Sequence, residues 1–169
     1  MQPGNSNRVL FDRIANSIHV QKHDRIPYFH CHGVIPINGY SARKGHLASD
    51  KLVLTEDNYL ELANNSFSWQ ATSFIDNCMN RRVVFCGVSL TDANMRRWLS
   101  WIHANKMAEF KENGLDCKDA TEHFWICKKP NTIQEKIWLE ESVAHLGVRL
   151  VWIDEWNQTG KVLKKMLGL

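Results

Sequence analysis

With 169 residues, 44% of them hydrophobic, seven tryptophans and four prolines, the chain carries enough apolar material for one globular domain with a sizeable core, which excludes a disordered polypeptide. A net charge of +3 without a basic tail leaves no footprint for nucleic acid. No apolar run reaches the roughly 18–20 residues of a membrane span, and no signal peptide opens the chain. The five cysteines, at 31, 78, 86, 117 and 127, are odd in number and form no CxxC pair. That pattern suits reduced thiols in a cytoplasmic protein better than a disulfide framework or a zinc knuckle.

In chain order, Met1 to Ser6 is polar and turn-rich, and Val9 to Ile18 reads as a short helix. His19 and His23 stand at i, i+4, a zinc-binding spacing on a helix that here lacks a third ligand. Ile26 to Gly33 reads as a strand. Pro27 suits its start, and Tyr28, Phe29 and Cys31 favour extended structure. A period of two sets His30 and His32 on one face, and Gly33 ends the strand beside His32. An imidazole at such a strand end could serve as a general base. The pair could instead ligate a metal, or either histidine could be a satisfied core residue. Val34 to Asp50 reads as a surface loop, rich in turn residues and carrying Arg43, Lys44 and His46.

Lys51 to Thr55 follows as a short strand. Thr55 is placed to cap a helix with Glu56 and Asp57 in its first turn, and Ser66 to cap a second helix through Phe67, Trp69, Phe74, Ile75 and Met79. Val83 to Val88 is short, apolar and partly β-branched, as a buried parallel strand should be. Ser89, Thr91 and Asp92 offer capping oxygens for the next helix, whose Met95, Trp98, Leu99 and Ile102 fall on one face. Gly87 leaves the strand end without a side chain, and ligands of open α/β sheets bind at such ends beside helix N-termini. The same residues also fit an ordinary βα turn in which Asp92 merely caps.

Lys111 to Ala120 is a polar connection around Gly114, and His123 to Cys127 is another short strand. A helix from Thr132 to Leu146 carries Leu139, Val143 and Leu146 on one stripe and ends at Gly147, a natural C′ residue. Val148 to Ile153 is the last buried strand, and a helix from about Gln158 closes the chain. The order β-α-α-β-α-β-α-β-α after residue 50 implies an α/β layered domain with a parallel sheet.

Four stretches together resemble the SIR2-like domains related to sirtuins, particularly those of bacterial anti-phage defence proteins. They are Tyr28-Phe-His-Cys-His-Gly33, Leu52-Val-Leu-Thr-Glu-Asp-Asn-Tyr59, Phe85-Cys-Gly-Val-Ser-Leu-Thr-Asp-Ala-Asn-Met-Arg-Arg97 and Leu146-Gly-Val-Arg-Leu-Val-Trp152. The resemblance covers nearly all of residues 26–167. It implies a Rossmann-like fold, a parallel sheet with helices on both faces, in a domain over 26–169 behind a partly flexible segment over 1–25. It also implies that His32 is catalytic, and that Gly33, Gly87, Ser89, Leu90, Asp92 and Asn94 lie along NAD, with the Gly-x-Ser-Leu turn against its ribose and phosphates.

The chain departs from that pattern in four respects. Ala93 stands between Asp92 and Asn94 where such domains often carry proline. The glycine-rich Gly-Ala-Gly turn that cradles the pyrophosphate is absent, the only early glycine being Gly4, and so is the Thr-x-Asn-x-Asp stretch. The resemblance is therefore to the C-terminal half of such a domain, without the N-terminal glycine-rich βα unit. The zinc-binding cysteine pairs of deacetylase sirtuins are also missing, which implies NAD hydrolysis as the parent activity, without zinc. A homo-oligomer or a partner chain supplying the missing half is the implied assembly. The alternatives are a non-catalytic nucleotide-sensing or assembly module, and an unrelated flavodoxin-like domain in which the His-Gly strand is accidental.

Overall fold

The computed structural model describes residues 11–14, 23–32, 53, 55–65, 67–120 and 122–168. The chain divides into two compact units, 1–73 and 74–169.

In the first unit, β1 (Phe11–Ile14) pairs in parallel with β2 (Ile26–Phe29), Phe11 opposite Ile26 and Ile14 opposite Phe29. The His30 N–H extends this ladder to the Ile14 carbonyl at 2.8 Å. The helix expected over Val9–Ile18 is thus corrected where it is described. Four residues in the pattern Phe-Asp-Arg-Ile are too few to separate the helical from the strand period, and pairing with β2 decides between them. Of the strand expected at Lys51–Thr55, the described Val53 is buried and donates its N–H to the His32 carbonyl at 3.1 Å. Helix α1 (Glu56–Asn64) starts as expected at Thr55, whose hydroxyl accepts the Asn58 N–H while the Asn58 side chain accepts the Thr55 N–H, a reciprocal cap. Helix α2 (Trp69–Asn80), whose residues from Phe74 onward belong to the second unit, begins after Ser68, not Ser66. Ser68 Oγ accepts the Ala71 N–H at 3.2 Å, and Ser66 lies outside the described residues. Met1–Ser6, His19 and Val34–Asp50 lie outside them as well.

In the second unit, β3 (Val84–Phe85), β4 (His123–Lys128) and β5 (Val148–Ile153) form a parallel sheet in that order. Helix α3 (Ala93–Glu112) connects β3 to β4, and α4 (Ile133–Ala144) connects β4 to β5. Helix α5 (Thr159–Leu167) closes the chain. The α/β class and the parallel pairing agree with the order of elements in the sequence. The register places Trp125 beside Leu150 and Cys127 beside Trp152 on one face. There they join Phe85, Leu99, Val143, Leu146 and Val148 in the core, with Met95, Ile102 and Leu139 packed against it. Ile126, pointing to the opposite face, is also fully buried, so β4 is covered on both faces as a central parallel strand must be. Strand β3 is shorter than its apolar run suggests, because Gly87 adopts a left-handed φ of 70° and turns the chain out of the ladder. Gly147 also takes a left-handed φ, of 69°, two residues past the α4 C-cap His145.

Candidate functional site

The turn from Gly87 to Asp92 joins β3 to α3 and holds four of the residues expected at a site, Gly87, Ser89, Leu90 and Asp92, with a fifth, Asn94, in the first turn of α3. Residues Cys86 to Ser89 are exposed, forming a rim, and Leu90 is 2% exposed, plugged into the core beneath them. A Cβ added to Gly87 would meet nothing within 4 Å, so the rim leaves open space at the strand end. Ser89 Oγ and Thr91 Oγ1 share a 2.7 Å hydrogen bond. Asp92 is the helix cap, its Oδ1 accepting the Met95 N–H at 2.8 Å and its carbonyl the Arg96 N–H at 3.0 Å. Asn94 Oδ1 accepts from Arg97 Nη2 at 3.3 Å, and the Arg97 guanidinium lies 5.3 Å from the centre of the Trp101 ring. The capping expected of Asp92 is therefore present, and the turn and the helix start form one hydrogen-bonded unit.

Two further residues hold this turn. Trp125 Nε1 donates to the Val88 carbonyl at 3.0 Å, and Arg96 Nη1 donates to the Leu90 carbonyl at 3.1 Å. Arg96 Nη2 reaches the Ser142 carbonyl of α4 at 2.8 Å. Sequence reasoning missed both residues. Trp125 lies 37 positions beyond its partner, and Arg96 looks in sequence like any polar residue on a helix.

His32 belongs to the first unit, exposed in a turn beside the half-buried Cys31, and its carbonyl takes the Val53 N–H. Gly33 lies outside the described residues. His30 and His32 do not share a strand face, since β2 ends at Phe29 and the period of two stops with it. The half-buried His30 ring instead meets Tyr28 edge to face, centroids 4.7 Å apart.

All five cysteines are free thiols. Burial pushes Cys78 and Cys127 up to about 12, which keeps both protonated and unreactive at neutral pH. Among the described residues no three His, Cys, Asp or Glu side chains converge as a metal site. Among them, too, no helix is long and apolar enough to cross a membrane.

Compared with known protein families, residues 5–146 match the SIR2-like domain. A search of curated proteins returns no match.

Proposed function

Because the chain belongs to the SIR2-like domain family, whose members bind NAD, we propose that it takes NAD on the rim from Cys86 to Ser89 and that its activity is hydrolysis of the nicotinamide–ribose bond. The observation that carries this reading is the open space at Gly87. A left-handed glycine with nothing near its missing side chain lets a ribose or phosphate approach the backbone closely. The Ser89 hydroxyl stands on the same rim, ready to exchange its bond to Thr91 for one to the ligand. Leu90 anchors the rim from below. Asp92 and Asn94 contribute by holding the start of α3, where the helix dipole favours the negative charge of phosphate.

Cleavage passes through an oxocarbenium-like ribose. From the resemblance of its His-Gly pair to that of the family, His32 is assigned as the general base. It accepts a proton from the water that bonds to the anomeric carbon as nicotinamide leaves with the electron pair of the broken bond, giving ADP-ribose. Positioning and one proton transfer suffice for this reaction. Turnover by the chain alone is slow, because no Gly-Ala-Gly turn occurs in the sequence to cradle the pyrophosphate. A second, different chain carrying that turn would raise it. The same absence favours a second reading, a nucleotide-sensing or assembly module that binds without turnover.

Calorimetric titration with NAD, with nicotinamide release followed in parallel, tests these readings. Binding with slow release supports the hydrolase, and binding without release supports the sensing module. Neither binding nor release overturns both.

A further inference from the structure

The turn at the candidate site contains two left-handed residues, and only one is a glycine. Leu90 has φ 51°, a conformation that its Cβ disfavours and that persists only where the surroundings impose it. Three contacts impose it here. The Leu90 side chain is locked in the core with Phe85, Leu99 and Trp125. Trp125 holds the preceding Val88 carbonyl. Arg96 holds the carbonyl of Leu90 itself.

Arg96 is in turn fixed from the far side. Its second terminal nitrogen donates to the carbonyl of Ser142 in the last turn of α4, where helix carbonyls lack intrahelical partners and the dipole favours a cation. The planar guanidinium thus bridges two backbone carbonyls that lie 52 residues apart in sequence, a geometry that the single ammonium of lysine does not reproduce.

We infer that Arg96 is a positioning residue for the nucleotide site. Acting through the Leu90 carbonyl, it fixes the shape of the Cys86–Ser89 rim and does so without touching the ligand. The inference rests on the NAD-binding reading above. Without the guanidinium, Leu90 relaxes toward negative φ, the Ser89 hydroxyl swings with it, and the rim must be reordered on binding at a cost in affinity.

The test is a titration of the isotope-labelled full chain with ADP-ribose, read on backbone amide resonances, for wild type, Arg96→Ala, Arg96→Lys and Thr132→Ala. Thr132→Ala removes the hydroxyl that accepts the Glu135 N–H at the start of α4, which lowers stability without altering the rim. The expected result is that Arg96→Ala displaces the Gly87, Val88 and Ser89 amides in the free protein and weakens ADP-ribose binding roughly tenfold, the order expected when a preorganised loop must reorder. Arg96→Lys falls between, and guanidinium ion well below denaturing concentration restores part of the affinity of Arg96→Ala. Thr132→Ala binds as wild type does. Should Arg96→Ala not fold, Arg96→Lys alone decides. Unchanged rim amides and affinity in the Arg96 variants, or an equal loss in Thr132→Ala, overturn the inference alone. Absence of ADP-ribose binding by the wild-type chain overturns this inference, and absence of NAD binding as well overturns the proposed function with it.

Discussion

The backbone N–H of Val83 donates to Nδ1 of His123 across 3.3 Å, at the point where β3 begins to pair with β4. That bond requires Nδ1 to be unprotonated, so it fixes the tautomer of a side chain only 4% exposed. Burial lowers the His123 pKa from the ordinary 6.5, and Lys106 and His103 push it the same way against the opposing pull of Glu122. The unfolded chain therefore takes up this proton before the folded one does. The stability from neutral His123 is full above about pH 6.5 and is lost as pH falls from there through the lowered folded value. His103, also lowered chiefly by burial, acts in the same direction. Urea unfolding at pH 7.5 and 5.5 should show a clear loss for wild type and a smaller one for His123→Asn, whose amide oxygen can still accept from Val83. Equal losses in the two proteins would refute the assignment.

Gly147→Ala is expected to destabilise the fold by about 1–3 kcal/mol. The position has φ 69°, and an added Cβ would fall 2.8 Å from His103 Nδ1 and 3.1 Å from its Cγ. The ring itself must then shift, and its Nδ1 is already buried without a hydrogen-bond partner. A melting temperature within a degree of wild type would show that His103 yields freely.

The thiols divide by burial. Cys86 is exposed on the rim, whereas Cys78 and Cys127 are held protonated by burial. A short pulse of iodoacetamide at neutral pH should label Cys86 first and reach Cys78 and Cys127 only on unfolding. Mass spectrometry of the labelled peptides checks the order, and early labelling of Cys78 would contradict its burial in the core with Phe85 and Leu99.

For turnover, His32→Ala should lower nicotinamide release by roughly the 10²–10⁴-fold typical of a general base, while leaving NAD affinity nearly intact. His30→Ala serves as the control, since its ring packs on Tyr28, and it should cost stability more than rate. Equal loss in both variants together with sensitivity to a chelator would point to a metal pair. Full activity in His32→Ala would remove the histidine from the mechanism.

What the sequence disclosed follows from how local each signal is. The start of α3 was legible because Asp92 and the Met95, Trp98, Leu99 and Ile102 stripe lie within eleven residues, and that stripe is buried or half-buried as expected. Thr55 was legible for the same reason, acting on its immediate neighbours, whereas Gly147 lies one position past the C′ place expected of it, because α4 ends at Ala144. Strand β1 was not, since its only cue is pairing with residues 15 positions on. The left-handed Leu90 was also hidden. An apolar residue after a strand reads as core, and nothing local reveals that Arg96, Trp125 and a carbonyl of α4 will hold it in that conformation. The family resemblance supplied Gly87 and Ser89 as candidate site residues, and the structure adds Trp125 and Arg96, which hold the turn around them.

Gly87→Val is the variant that most directly tests whether the Cys86–Ser89 rim receives NAD. A Cβ at this position meets nothing within 4 Å, and the site is exposed, so the core is spared. A β-branched residue at φ 70° strains the turn, however, and its methyl groups fill the space assigned to the ligand. In calorimetric titrations with NAD, at unchanged circular dichroism, wild type is expected to bind and Gly87→Val to lose most of that affinity. Equal affinity in the two proteins, or no binding by wild type, would contradict the NAD-binding reading.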